Sequence, residues 1–527
     1  MAIDRRGFLK TSAAQAAVLG LGAAGPNTRH PGAAPVLRGA NPFLHGVASG
    51  DPLADRVILW TRVSPYDDRI GEPIETHWWI ARDSLGLEVV AGGSVVASPA
   101  TDYTVKVDAS GLEPGSDYYY GFLTQTGLSP IGRTRTLPRD DVEHVRMAFA
   151  SCANLPAGFF NGYACMAERD DIDVVLHLGD YLYEYGNGEY GDGTSLGRIP
   201  DPIHETLTLE DYRRRHASYK ADPDLQAAHA RHPWITIWDD HETANNSHPG
   251  GAENHDPSLE GDWQIRKLAG IRAYHEWMPI RELPTGLYRS FRFGELVDLV
   301  MLDTRLHGRD PEVVPMDNVA ASDPSRTLLG EDQKDWLFDE LSNSQRAGSA
   351  WRVIGQQIMV SPVSFGGVGF NPDSWNGYRA TRMRVLDHLE NEGIDNVVFL
   401  TGDVHSSWVF DVPAPSGSEK DYDRTTGAGS RAVEFVTPAV SSPPLAAAES
   451  WRTREQEILD RTPHLKYANF SEQGFAILDL RRERVRAEYI FTGSAKTKSR
   501  RSRCAAVFEA RSGTNCAERV ESDLCQG

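Results

Sequence analysis

From residue 145 onward the chain alternates short apolar runs with longer amphipathic stretches, and this alternation restricts the fold more than any other feature. The runs cover 145–150, 172–177, 234–238, 296–302, 351–354 and 396–400. Between them lie helix-like stretches at 158–169, 209–229, 265–277, 331–341 and 378–390. A short apolar run with no polar alternation reads as a strand covered on both faces, and strands of that kind separated by helices predict a layered α/β body. Ligands in such bodies bind beyond the carboxyl ends of the strands, so the residues after each run are the informative ones.

Those residues are polar at every run. Ser151-Cys152-Ala153-Asn154 follows the first, Gly179-Asp180-Tyr181-Leu182-Tyr183-Glu184 the second, and Asp239-Asp240-His241-Glu242 with Asn245-Asn246 the third. Asp303-Thr304-Arg305, Gln356-Gln357 and Thr401-Gly402-Asp403-Val404-His405 follow the others. A single Asp at a strand end is commonly a cap or turn residue, but six such ends concentrated on one edge point to a site. Cys and His without a second nearby Cys do not make a structural zinc site. Carboxylates with a phenolate, a thiolate and an imidazole suit a hard trivalent ion such as ferric iron beside a second, oxygen-loving ion. Two ions sharing a carboxylate can clamp the attacking and leaving oxygens of a phosphoryl transfer. Asp180 is the candidate bridge, because Gly179 lets the backbone turn sharply off its strand.

Composition narrows the function classes. The 527 residues carry 54 Lys+Arg against 74 Asp+Glu, a net charge of −20. That balance disfavours nucleic-acid binding and requires a phosphate site to make its own local positive field. Five cysteines rule out a disulfide scaffold. No apolar stretch of about 20 residues occurs after residue 25, so no transmembrane span is expected.

The N-terminus reads as an address. Arg5-Arg6-Gly7-Phe8-Leu9-Lys10 before the short apolar run 12–25 resembles a twin-arginine signal, with Asp4 where Ser or Thr is commonest. A signal peptide over 1–34, with cleavage between 23 and 34, predicts export by the twin-arginine (Tat) machinery to the periplasm or the medium.

Residues 41–138 read as a small all-β domain. The runs 57–60, 76–80 and 103–107 are β-branched and aromatic, separated by Gly, Pro and Asp. Gly111-Leu112-Glu113-Pro114-Gly115-Ser116-Asp117-Tyr118 resembles the tyrosine corner of fibronectin-III/Ig-like sandwiches, in which a buried hydroxyl bonds back to the turn. His45 and Asp51 are read as structural or interdomain residues, and 137–141 as a linker. A catalytic domain over 144–495 follows, and then a basic tail over 496–527, read as solvated. Cys504, Cys516 and Cys525 lie in that tail; two of them are expected to pair, with one left over.

Taken together, the strings resemble the PhoD-like alkaline phosphatase/phosphodiesterase family, a branch of the calcineurin-like metallophosphoesterases. The resemblance runs from Phe43 to about Phe491. It includes Gly46-Val47-Ala48-Ser49-Gly50-Asp51-Pro52, Ile58-Leu59-Trp60-Thr61-Arg62, Asp373-Ser374-Trp375-Asn376-Gly377-Tyr378, Gly402-Asp403-Val404-His405-Ser406-Ser407-Trp408 and Ser441-Ser442-Pro443, besides the strand-end strings above.

The resemblance implies a four-layer α/β sandwich of the metallophosphoesterase type. It implies Cys152 as a thiolate ligand of ferric iron, Asp180 as the bridge, Tyr183 as a phenolate giving a visible charge-transfer band, and His405 as the iron imidazole. Asp240 would bind the second ion. Asp403 and Gln357 (or Gln356) stand where or near where the wider superfamily has His. Oxygen in place of nitrogen favours calcium over zinc or manganese, so the expected cofactors are Fe3+ and Ca2+. Asn246, Asn245 and Asp239 are further candidates for a second calcium or for holding the ligands.

The expected reaction is hydrolysis of a small phosphate ester by in-line attack of a metal-bound hydroxide. His241 would stabilise charge or protonate the leaving oxygen, and Arg305 and Arg379 would clamp phosphate or else form ion pairs. Ser151 and Ser406 read as turn residues rather than nucleophiles. Trp375 and Tyr378 read as loop packing or as mouth residues. Two other readings compete: a phospholipase-D-like phosphodiesterase, and a calcium-dependent binding protein without activity. The second of these would show decayed ligand positions, which this chain does not. A mononuclear iron oxygenase would want two His and one carboxylate, which Cys152 and Tyr183 do not fit.

Overall fold

The computed structural model describes residues 41–525 except 67–68, 285, 315–318, 366–367, 370, 415–421, 448–450, 452–453 and 522–524. The proposed signal peptide therefore lies outside the described residues. Among them, no helix is long and apolar enough to cross a membrane.

Two mixed sheets stack face to face. In the ten-stranded sheet, Val145–Ala150, Val174–His177 and Pro233–Thr236 run parallel, with Leu176 opposite Phe149 on one side and Ile235 on the other. In the seven-stranded sheet, Val297–Met301, Trp351–Gly355, Val397–Thr401 and Ser430–Val436 run parallel, with Ile354 between Val300 and Phe399. Side chains alternate across a strand, and the second sheet uses that period of two to fill two layers. Leu299, Val353, Val398 and Leu400 pack inward with Met147, Leu176 and Ile235 of the first sheet. Val300, Ile354 and Phe399 pack outward on Leu337, Leu341, Val385 and Leu389 of the helices Gly330–Ala347 and Arg379–Asn391. Helices Asn161–Ala167, Leu209–Lys220 and Pro223–Arg231 belong to the first sheet's side, where Tyr163 and His229 pack on Trp234. The result is the expected four-layer α/β sandwich preceded by an all-β region.

Three details differ from the sequence reading. The stretch 209–229 is two helices, because Asp222 caps a new one through the amides of Asp224 and Leu225 (2.9 and 3.0 Å) and Pro223 has no N–H to continue the old one.

The all-β region is not a detached unit. Tyr118 makes the expected corner, its hydroxyl accepting from the Glu113 amide at 2.8 Å. One of its two sheets, however, is continuous with the catalytic sheet: Val47–Gly50 pairs in parallel with Pro233–Thr236 and antiparallel with Arg56–Arg62. Asp51 seals this seam, bonded by Arg289 at 2.7 and 2.9 Å and by the Arg281 amide at 2.7 Å.

The third difference is the C-terminal segment, which is not a solvated tail. Lys498 and Arg500 pair with Asp224 and Glu168. Arg503–Arg511 and Ala517–Arg519 extend the edge of the ten-stranded sheet, with Phe508 and Ala510 in the main core. Cys504 and Cys525 are joined, leaving Cys516 buried and free.

Candidate metal centre

Three of the polar strings follow sharp backbone turns at their strand ends. Cys152, Asp180, Asp403 and His405 all have left-handed backbones, with φ of 62°, 54°, 65° and 52°. Conformations of this kind cost non-glycine residues about 1–3 kcal/mol each and persist only where the surroundings over-determine them. Gly179 has φ 103°, and a Cβ there would lie 2.3 Å from the Asp239 Cβ. Two ligand loops can touch only because this position has no side chain.

Three overlapping groups form along the strand ends. Ligand atoms of Cys152, Asp180 and His405 lie within 4.8 Å of one another, as do those of Asp180, Asp240 and His241, and those of Asp239, Asp240 and Asp403. Asp180 belongs to two of these groups. Tyr183 joins the first: its hydroxyl donates to Asp180 Oδ2 at 2.8 Å, lies 3.0 Å from His405 Nε2, and accepts from Ser442 Oγ at 2.8 Å.

The donor chemistry fits cations. Asp180 Oδ1 and Asp239 Oδ2 are buried without a hydrogen-bond partner among the described residues, which is costly for a carboxylate. Burial pushes the Asp180 and Asp403 carboxyls well up and Asp239 to about 7, each further raised by neighbouring carboxylates. Burial and Asp180 likewise hold the Cys152 thiol well above its usual range. A bound cation reverses this logic, since a coordinating thiol or carboxylate is deprotonated. The first group offers sulfur, phenol, carboxylate and imidazole, and the third offers oxygen alone, so the residues present fit an iron-type ion beside a calcium-type ion.

His241 stacks on Tyr183 with ring centroids 4.2 Å apart. Its Nδ1 meets Glu184 Oε2 at 2.7 Å, while Glu184 Oε1 accepts from the Asn245 amide and from Asn254 Nδ2. Burial would depress this imidazole, but Asp240, Glu184 and Asp180 outweigh it and hold its pKa well above the ordinary value.

Other expected residues are placed differently. Arg305 is fully buried, with Nε on Asp239, Nη1 on both Asp373 oxygens (2.7 and 2.8 Å) and Nη2 3.3 Å from Asp403. Its donors face carboxylates, the ion-pair alternative of the sequence reading, and it holds the acidic cluster together. Arg379 is exposed at the start of its helix, with no bond to the cluster among the described residues. Gln357 accepts from the Thr304 amide (3.1 Å) and hydroxyl and donates to Leu302 O at 2.9 Å, which makes it a brace under the Arg305 loop. Gln356 is tied to Thr401, Trp375 and Ile358. Trp375 and Tyr378 are buried packing residues. Ser406 bonds the Val404 carbonyl at 2.7 Å as a turn residue.

Sequence reasoning assigned no role to Glu242, Glu184, Asp373 or Tyr190. Glu242 accepts the amides of Tyr181 (2.6 Å), Asp239 (2.8 Å) and Asp180 (3.1 Å), locking two loops to each other. Its only sequence signal was its place directly after Asp-Asp-His. The cluster opens into a pocket of about 440 Å³ whose lining includes Tyr190, Asn246, Asp403, His405, Pro443 and Trp451.

Comparison with known proteins agrees with this geometry. The PhoD-like phosphatase model matches residues 147–489, and that of the PhoD-like phosphatase N-terminal domain matches 31–138. Alkaline phosphatase D of Bacillus subtilis (strain 168) is 40% identical over 447 residues, spanning 81% of this chain and 74% of that protein. A solved structure of PhoD superposes with a TM-score of 0.83 at 34% identity, covering 94% of this chain and 95% of that one. The strand-end cluster thus sits on a shared scaffold over nearly the whole length described, and the chain belongs to the PhoD-like phosphatase family, as a phosphoric ester hydrolase.

Proposed function

We propose that this chain is an exported, metal-dependent phosphatase/phosphodiesterase working at an iron–calcium centre. The reading rests on one observation: a thiol, a phenol, two imidazoles and four carboxylates converge on one edge, with two buried carboxylate oxygens lacking a partner among the described residues. Cys152, Asp180, Tyr183 and His405 would hold the iron, and Asp180, Asp240 and Asp403, with Asp239, the calcium. When bound, the ions supply positive charge against the phosphoryl oxygens and acidify water for in-line attack. Arg305 keeps the carboxylates together. Glu184 occupies Nδ1 of His241, which leaves Nε2 as the nitrogen to carry a proton to the leaving oxygen. Residues 1–34 would direct export by the twin-arginine route. Elemental analysis of the purified enzyme should find iron and calcium, and turnover of a monoester and a diester should depend on both. Zinc or manganese in place of both ions overturns the reading of the centre. Changing Arg5 and Arg6 to Lys should strand precursor in the cytoplasm, and normal export of that variant overturns the route.

A further inference from the structure

Tyr190 lies outside every string singled out in the sequence, yet it touches the centre. Its hydroxyl is 3.1 Å from His405 Nδ1. The other ring nitrogen, Nε2, lies 3.0 Å from the Tyr183 hydroxyl and 4.0 Å from Asp180 Oδ2. The imidazole therefore presents Nε2 to the ligand group and Nδ1 to Tyr190. An imidazole that binds a cation through Nε2 carries its proton on Nδ1, and the acceptor of that N–H sets the ring's plane. Carboxylates often serve as that acceptor. A neutral phenol here adds no charge to a group that already holds a thiol, a phenol and a carboxylate.

The position is built rather than incidental. The Tyr190 ring lies near-parallel to Tyr183 (centroids 5.6 Å, 24°) and to His241 (6.2 Å, 16°), which fixes its plane. The neighbouring Gly191 is packed so that a Cβ would come within 3.1 Å of the Ala157 amide, and one at Gly193 would lie 2.2 Å from the Arg198 carbonyl. Arg215, fully buried, straps both ends of the segment. It bonds the carbonyls of Tyr183 and Tyr185 at one end, and those of Pro202 (2.8 Å) and His204 (2.9 Å) at the other. The Pro443 carbonyl also faces the His405 ring and is the competing acceptor.

We propose that Tyr190 is a positioning residue for His405, its hydroxyl accepting the Nδ1–H so that Nε2 faces the iron group, while its ring walls the mouth. The proposal rests on the iron reading above for its consequence, but not for the hydrogen bond itself.

Tyr190→Phe keeps the stacked ring and removes only the hydroxyl. In the metal-free protein with 15N-labelled histidine, the His405 Nδ1 resonance, assigned through its loss in His405→Gln, should shift in Tyr190→Phe. In competition with a chelator, iron affinity should fall roughly 10–100-fold, the usual span for losing a group that orients a ligand. The visible band should remain, because Tyr183 is intact. An unmoved Nδ1 resonance means that Pro443 holds the ring and overturns the proposal, and so does an unchanged iron affinity. A wild-type protein that takes up no iron overturns the iron reading instead, and the resonance then decides the hydrogen bond by itself.

Discussion

Tyr183 and His241 stack ring on ring at 4.2 Å, yet their bonds divide them. Tyr183 points its hydroxyl at Asp180 and His405, inside the thiol-bearing group, whereas His241, which shares the second group with Asp180 and Asp240, is held through Nδ1 by Glu184, a residue outside all three groups. Tyr183→Phe should therefore abolish the visible absorption of the iron-loaded protein and weaken iron retention, as read by spectrophotometry and iron analysis. His241→Ala should leave colour and metal content in place and lower turnover by roughly 10²–10⁴-fold, the span for a positioned acid. The loss should shrink for esters with good leaving groups, which need little protonation. A coloured Tyr183→Phe protein, or a His241→Ala protein without metal, would reverse the two roles.

Elements bring these residues together, and the seam between the first strands and the catalytic sheet is where that joining can be probed. Asp51 and Arg289 form a fully buried pair across it, with side-chain exposures of 0% and 3%. Asp51 also has φ 42°, a conformation that Asn tolerates. Asp51→Asn keeps the backbone but leaves Arg289 without its anion, and breaking such a pair costs about 3–5 kcal/mol. Urea denaturation should show that loss in a single transition, because the two regions share one sheet; a separate early transition would mean they are independent units. The six strand ends were legible because continuous apolar runs announce strands buried on both faces, and polar strings after them have few structural uses. The strand Arg503–Arg511, next to the edge, was not, since the lysines and arginines leading into it look like a solvated basic tail until Phe508 and Ala510 are seen in the core. For a related reason the sequence leaves Arg305 open between a phosphate clamp and an ion pair. Nothing in Asp303-Thr304-Arg305 shows that Asp239 and Asp373, from two distant loops, close around its guanidinium. The same holds for Gln357, whose superfamily position suggested a ligand while its amide is consumed by Thr304 and Leu302.

At the scale of the whole molecule, a chain of net charge −20 collects carboxylates at one buried point, and the pH dependence of stability should report what neutralises them. Without cations, burial holds Asp239 near 7 and pushes Asp180 and Asp403 up, so the folded protein keeps protons that the unfolded chain releases above about 4. A raised folded pKa contributes stability that is complete below the unfolded value and is lost as pH rises through the folded one. Metal-stripped protein should therefore weaken between about pH 4 and pH 7 or above, by up to about 1.4 kcal/mol per pH unit for each such carboxylate. Cations seated on these groups displace the protons and remove the penalty. Buried histidines act in the opposite direction: His177 is lowered to about 3 and His232 and His464 to about 4 by burial, and their contribution is lost as pH falls below about 6.5. They are not ligand candidates, so their effect is common to the loaded and stripped proteins and cancels in the difference. The gap in unfolding free energy between loaded and stripped protein should widen steadily from pH 5.5 to pH 8. A gap that stays constant across that range would mean that the cations sit elsewhere than on Asp180, Asp239 and Asp403.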